Sequence, residues 1–168
     1  MDFSELIRSR YSVRAYKQDP VEDDKLNRVL EAARLAPTAA NRQPFKIIVI
    51  NTRGREKELN RVYSGEWFAQ APIVICVCVI PQIGWTRSFD AKNHCDVDAA
   101  IVMDHLILAA ANEGLGTCWI GAFDPAAARE VLHLPDELEP VVFTPLGYSA
   151  DQPRVKKRKE LAELVQYQ

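Results

Sequence analysis

LEAARLAPTAANRQPFKIIVIN, residues 30–51, contains a helix, its stop and a strand in immediate succession, and the rest of the chain can be ordered around it. Its first third continues a helix that starts near Glu22. In EDDKLNRVLEAARL, residues 22–35, Leu26, Val29, Leu30 and Ala33 recur on one face and acids fill the first turn. Pro37 stops that helix. The last third, FKIIVIN at residues 45–51, is short, apolar and β-branched, which predicts a buried strand. Between Pro37 and Pro44 the loop PTAANRQP concentrates hydrogen-bonding side chains where helix meets strand, the kind of segment that binds from a rigid scaffold.

Outward from this stretch, IVICVCV at residues 73–79 is a second apolar, β-branched run, with a charged helix expected near residues 54–63 between the two strands. From Asp96 to Glu113 the chain is apolar on nearly every face, which predicts a central buried helix with Asp96 as its cap and Gly114 as its stop. TCWIG, residues 117–121, reads as a strand, and DPAAAREVLHL, residues 124–134, as a helix with an Asp cap and Pro at its first position. VVFTPLGY, residues 141–148, is the last clear strand, despite Pro145. Several connections are too short for a helical crossover, so a mixed sheet with helices on both faces is expected. The loop PQIGWTRSFDAKNHC, residues 81–95, is long enough to act as a lid, with Trp85 and Phe89 as candidate ligand contacts.

The 168 residues suit a single domain spanning 1–168. A formal net charge of −2 gives no global attraction to nucleic acid or to an anionic membrane. The amino terminus, MDFSELIRSR, mixes acids with arginines and lacks an apolar stretch suited to a signal peptide. The apolar run at residues 73–80 is far shorter than the ~20 residues of a membrane span, so a cytoplasmic protein is expected. Its four cysteines are then expected to be reduced. Cys76 and Cys78 with His94 and Cys95 make a four-ligand metal set on paper, but zinc sites favour turns with C-x-x-C spacing, and buried core cysteines are the plainer reading.

The glycines at 114, 116 and 121 miss the dinucleotide fingerprint, whose last position would be Trp119. No G-x-x-x-x-G-K-[ST], G-x-S-x-G or H-E-x-x-H occurs, so nucleotide hydrolysis, serine hydrolysis and zinc proteolysis lack their usual marks. What the chain does offer is cations. Arg10, Ser12 and Arg14 alternate, and in an extended segment they would point to one side, where guanidinium forks and a hydroxyl suit a phosphate; a solvated basic helix exit is the competing reading. RVKKRK, residues 154–159, is a second cluster without aromatic interleaving, which disfavours nucleic acid and leaves a solvated surface or a tail closing over a phosphate.

Taken in order, RYSVRAY (10–16), LEAARLAPTAANRQPF (30–45), GLGTCWIGAFD (114–124), LGY (146–148) and the K-x-R of KKRKEL (156–161) resemble the FMN-dependent nitroreductase family nearly end to end. The resemblance implies an α+β fold, a mixed and largely antiparallel sheet sandwiched by helices, in an intertwined homodimer with FMN in clefts between the subunits. It assigns Arg10, Tyr11, Ser12 and Arg14 to the flavin phosphate and pyrimidine edge, with Lys156 and Arg158 closing on the phosphate. Pro37, Thr38 and Ala39 would come from the partner against the ring, Asn41 and Gln43 would bond near it or support their loop, and the backbone at Gly121 and Ala122 would approach the N5 side. Thr38 stands where many relatives carry serine, and Gly121–Ala122 where some carry an acid before glycine. The activity implied is ping-pong hydride transfer from NAD(P)H through flavin N5 to a small aromatic oxidant such as a nitroaromatic, a quinone or a flavin. A flavin carrier or sensor without efficient turnover, or specialised flavin chemistry such as dehalogenation, are the alternatives.

Overall fold

The computed structural model describes residues 2–168. The strand IVICVCV shows how the layers form. Ile73–Val79 (β2) lies between Phe45–Asn51 (β1) and Glu139–Gly147 (β4), and its alternate side chains point to opposite faces. Ile75, Val77 and Val79 pack with Val29 and Ala33 of α2 (Asp23–Arg34) and with Val102, Met103 and Leu106 of α4 (Cys95–Asn112). Val74, Cys76 and Cys78 face the other way, onto Leu59 and Val62 of α3 (Glu56–Val62) and Ala128 and Val131 of α5 (Pro125–Leu132), with Phe68 and Phe143 between them. Here α1 is Phe3–Ser9 and α6 is Leu161–Leu164. Both faces of the sheet are thus covered by helices, and α4 is buried along much of its length, as its apolar composition requires.

Among the described residues the sheet has four strands in the order β1-β2-β4-β3, with Gly116–Thr117 as β3, and every strand pair is antiparallel. The mixed character expected from the connections is confined to an isolated parallel bridge between Ser12 and Thr117, fixed by the Val13 N–H to the Thr117 carbonyl at 2.9 Å. Gly116 is required there, because a Cβ would fall 2.7 Å from Val13 Cγ2.

Two boundary expectations need correction. The TCWIG strand shrinks to Gly116–Thr117 plus a bridge between Ile120 and Phe143. Phe143 exchanges both backbone bonds with Ile120, at 2.9 and 3.0 Å, so the alternate residue Pro145 turns toward the same side and has no N–H to give. The chain arcs away there, and the Cys118 N–H goes to Thr144 Oγ1 at 3.1 Å instead. Helix α4 begins at Cys95, with Asp96 inside its first turn rather than capping it; the Cys95 N–H is taken by Asn93 Oδ1 at 2.9 Å. Residues 81–95 form an ordered hairpin after a short 3-10 turn at Pro81–Ile83, with a Thr86–Asn93 bridge and the His94 N–H to the Trp85 carbonyl at 2.9 Å.

The paper set of metal ligands does not converge, since Cys76 and Cys78 sit on the α3/α5 face and Cys95 on the α4 face. Other features match the sequence: Asp124 caps α5 by accepting from Ala126 and Ala127, Pro125 takes the first helical position, and Gly114 ends α4 at φ +76°. Among the described residues no helix is long and apolar enough to cross a membrane.

Candidate active site

The first half of the site grows from the end of α1. Asp2 and Glu5 form a reciprocal capping box, Leu6 anchors the helix, and at Arg10 the backbone turns extended (φ −54°, ψ 131°). Val13, 1% exposed, then pins the segment into a small cluster with Tyr16 and Ala71. Arg10, Ser12 and Arg14 consequently line one cavity of about 170 Å³, and the tail returns across it with Arg154, Lys156 and Arg158. At about 30 Å³ per water molecule, that is room for a phosphate-sized anion and some of its hydration.

Five cations line this cavity, no carboxylate does, and none of the five is in an ion pair among the described residues. Lys156 Nζ donates to the carbonyls of Ile7, at 3.4 Å, and Arg8, at the negative end of α1. Loss of solvent holds its ammonium below the ordinary lysine pKa, and Arg10 and Arg158 push the same way. A dianionic monoester fits such a donor set: forks and a hydroxyl supply hydrogen bonds, and the anion relieves the mutual repulsion of the cations. Arg14 also lies 6.0 Å over the Trp67 ring.

Behind the cavity, Cys118 is 4% exposed, and burial pushes its thiol pKa up against the lowering influence of Arg14, Ser12 and Arg10. Tyr11 lines the cavity but commits its hydroxyl elsewhere, donating to the carbonyl and Oδ1 of Asp151, both at 3.1 Å.

The second half is the loop 37–44. Ala40, Asn41 and Gln43 adopt φ of 51°, 53° and 50°, a left-handed conformation costing a non-glycine residue roughly 1–2 kcal/mol, less for asparagine. Such strain persists only where surroundings over-determine it. Asp98, 1% exposed, accepts the Ala39 N–H at 2.8 Å, and Thr38 Oγ1 accepts the Gln43 N–H at 3.0 Å. The Gln43 amide donates to the Asn41 carbonyl at 3.1 Å, so Gln43 supports its own loop, while the Asn41 side chain and Pro37 are exposed. Arg42 reaches the Gly84 carbonyl at 3.3 Å, joining this loop to the hairpin that carries Trp85 and Phe89. Trp85 is half-buried edge-on against His94, with ring centroids 4.9 Å apart, whereas Phe89 is 97% exposed at the hairpin tip. Gly121 and Ala122 lie exposed on the arc before α5, where a Cβ at Gly121 would meet only Trp119 Nε1, at 3.9 Å.

The chain therefore gathers the two cation clusters but not the whole predicted set. None of residues 37–43, 85, 89, 121 or 122 lines the cation-lined cavity. The loop is tied to Asp98 in the first turn of α4, while Arg10 and Tyr11 border a second, mostly apolar cavity with Ala111 and Gly114 at its last turn. At about 1.5 Å per residue those ends are about 20 Å apart. Sequence reasoning missed Asp98 and Asp151 as supports. An acid inside an apolar helix was a usable signal for the first; the second bonds across 137 and 140 residues and has none.

A layered α+β protein with helices on both sheet faces and a cation-lined pocket at the sheet edge is the class so defined. The profile of the Nitroreductase family matches residues 7–65 and 57–148, and the chain belongs to that family. It superposes with a TM-score of 0.89 on a nitroreductase family protein from Clostridium difficile 630, 42% identical, covering 99% of this chain and 98% of that one. A nitroreductase family protein from Clostridium novyi NT is 32% identical with a TM-score of 0.82, covering 90% and 87%. The FMN reductase [NAD(P)H] of Bacillus subtilis is 29% identical over 163 residues, 88% of this chain and 66% of that protein.

Proposed function

We propose that the chain is an FMN-dependent oxidoreductase that takes reducing equivalents from NAD(P)H and passes them to a small aromatic oxidant, a nitroaromatic, a quinone or a flavin, in a ping-pong cycle. The observation that carries it is the cavity in which five cations meet without a carboxylate among its lining. Family membership and similarity to an FMN reductase support the same reading. FMN, when bound, supplies the hydride chemistry at its N5.

The protein's own groups bind and orient. Arg10, Ser12, Lys156 and Arg158 hold the phosphate, and Arg14 offers a fixed cation to the pyrimidine edge. Pro37, Thr38 and Ala39 of a second copy lie against the ring, Asn41 bonds near it, and the exposed backbone at Gly121 and Ala122 approaches the N5 side. Trp85 and Phe89 border the face that the oxidant shares with the nicotinamide. The separation of the two half-sites along α4 supports a homodimer with FMN at the subunit interface, and the whole of residues 1–168 acts as one FMN-binding domain. Four free cysteines fit a reducing cytoplasm.

The test is an absorption spectrum of the purified protein before and after anaerobic NADH or NADPH. Flavin bands that bleach support the oxidoreductase. Bands that persist with either nucleotide but bleach with dithionite identify a flavin carrier or sensor, and no bands after FMN is added overturn the assignment.

A further inference from the structure

Asp151 is an acid beside a pocket built for an anion, and by charge alone it should weaken phosphate binding. Its contacts give it a different role. One carboxylate oxygen accepts the Tyr11 hydroxyl at 3.1 Å and the other accepts the Arg14 N–H at 2.8 Å. Its own carbonyl accepts from the same Tyr11 hydroxyl, also at 3.1 Å. On the amino-terminal side these bonds land inside the segment that presents Arg10, Ser12 and Arg14. On the carboxyl-terminal side Asp151 follows a run of backbone ties, Lys17 N–H to the Tyr148 carbonyl at 2.9 Å and Ala150 N–H to the Ala15 carbonyl at 2.8 Å, and stands just before Arg154, Lys156 and Arg158. Beyond it, among the described residues, the tail bonds back to the first segment through Lys156 at the end of α1.

We infer that Asp151 is the positioning residue of the phosphate site: it clamps the two cation-bearing segments in register, and that register outweighs its unfavourable charge. The inference rests on the FMN reading above. Like charges on facing segments push apart, so without a clamp the site would exist only after an anion had drawn the tail in, and binding would bear the cost of ordering it. Tyr11, assigned to the flavin by resemblance, serves as the other jaw of the clamp.

The sign of the effect separates the alternatives. Asp151→Ala removes a negative charge near a dianion, so electrostatics predicts tighter FMN binding and loss of the clamp predicts weaker binding. The full-length chain, dialysed free of flavin, is titrated with FMN and with riboflavin, which lacks the phosphate. With Asp151→Ala we expect FMN affinity to fall about tenfold or more while riboflavin affinity stays within about twofold. Asp151→Asn, which keeps an acceptor for the Arg14 N–H and turns its NH2 toward the Tyr11 hydroxyl oxygen, is expected to fall between, and Tyr11→Phe to lose about threefold for FMN. Thermal melts check that each variant folds, and riboflavin affinity reports an intact ring site if Asp151→Ala does not fold and Asp151→Asn must carry the test. Unchanged or tighter FMN binding overturns the inference, as does an equal loss for both ligands. If the unsubstituted chain fails to prefer FMN over riboflavin, the phosphate reading itself fails and Asp151 has nothing to position.

Discussion

Lys156 sits where three influences meet: the carbonyls ending α1, the guanidinium of Arg10 and that of Arg158. Its pKa is lowered in the folded chain, chiefly by loss of solvent. Between that lowered value and the ordinary one the unfolded chain holds more protons than the folded one, so Lys156 makes stability rise with pH across that window. Below the window its full penalty is present. A bound dianion favours the ammonium and reverses the balance, so FMN affinity is expected to decline with rising pH from below the ordinary lysine range, and Lys156→Met to remove that part of the dependence. Flavin titrations between about pH 8 and 10 measure it. Replacing Lys156 and Arg158 together by alanine is expected to weaken FMN at least tenfold, on the order of 1.5–3 kcal/mol per charged hydrogen bond, and an unchanged flavin content would refute their role. The alternation of Arg10, Ser12 and Arg14 was legible because an extended segment obeys a period of two. The commitment of the Tyr11 hydroxyl to Asp151 was not, because no local pattern encodes a contact between chain ends.

The loop 37–44 is the element whose conformation departs furthest from local preference, and the departure can be measured. Ala40 has φ 51°, where alanine is strained and glycine is not. Ala40→Gly should therefore be neutral to stabilising by up to about 1 kcal/mol, the relief of strain exceeding the added freedom of the unfolded chain. A higher urea midpoint with unchanged slope would show it, and a clear loss would mean the turn is not strained in solution. Asp98→Ala removes the acceptor of the Ala39 N–H and is expected to cost about 1–3 kcal/mol, lowering the melting temperature. The strands β1 and β2 were legible because β-branched runs between prolines have few other uses, but β1, expected to be buried, lies at the sheet edge with only Ile50 buried and Val49 41% exposed. TCWIG was over-read because the residue that stops its pairing, Pro145, lies on the neighbouring strand, and the start of α4 was misplaced because Asn93 bonds the Cys95 N–H before Asp96 is reached.

At the scale of the molecule, the cation cavity and the 37–43 loop stand toward opposite ends of α4, the first near its last turn and the second at its first, and on the proposed reading each is half of an FMN cleft. Phe3 and Ile7 on α1 and Leu161, Leu164 and Tyr167 in the tail are 66%, 46%, 71%, 65% and 90% exposed, apolar surface suited to cover by a second copy. Nothing in composition or periodicity announces such pairing; the expectation rests on the family resemblance. Two variants test it together: Lys156→Ala with Arg158→Ala, which disables the phosphate half, and Asn41→Ala with Pro37→Ala, which disables the ring half. If each cleft takes its phosphate half from one subunit and its ring half from the other, a mixed dimer contains one cleft with both defects and one with neither. Co-refolding the two inactive proteins in equal amounts would then restore flavin binding and NAD(P)H oxidation to about a quarter of the unsubstituted level, since about half of the dimers are mixed and each has one sound cleft. If both halves of a cleft belong to the same chain, every cleft in the mixture keeps one defect and nothing is restored. Recovery that disappears on dilution below the dimer's dissociation constant would tie it to the interface, and absence of recovery in dimers shown to be mixed would refute the shared cleft.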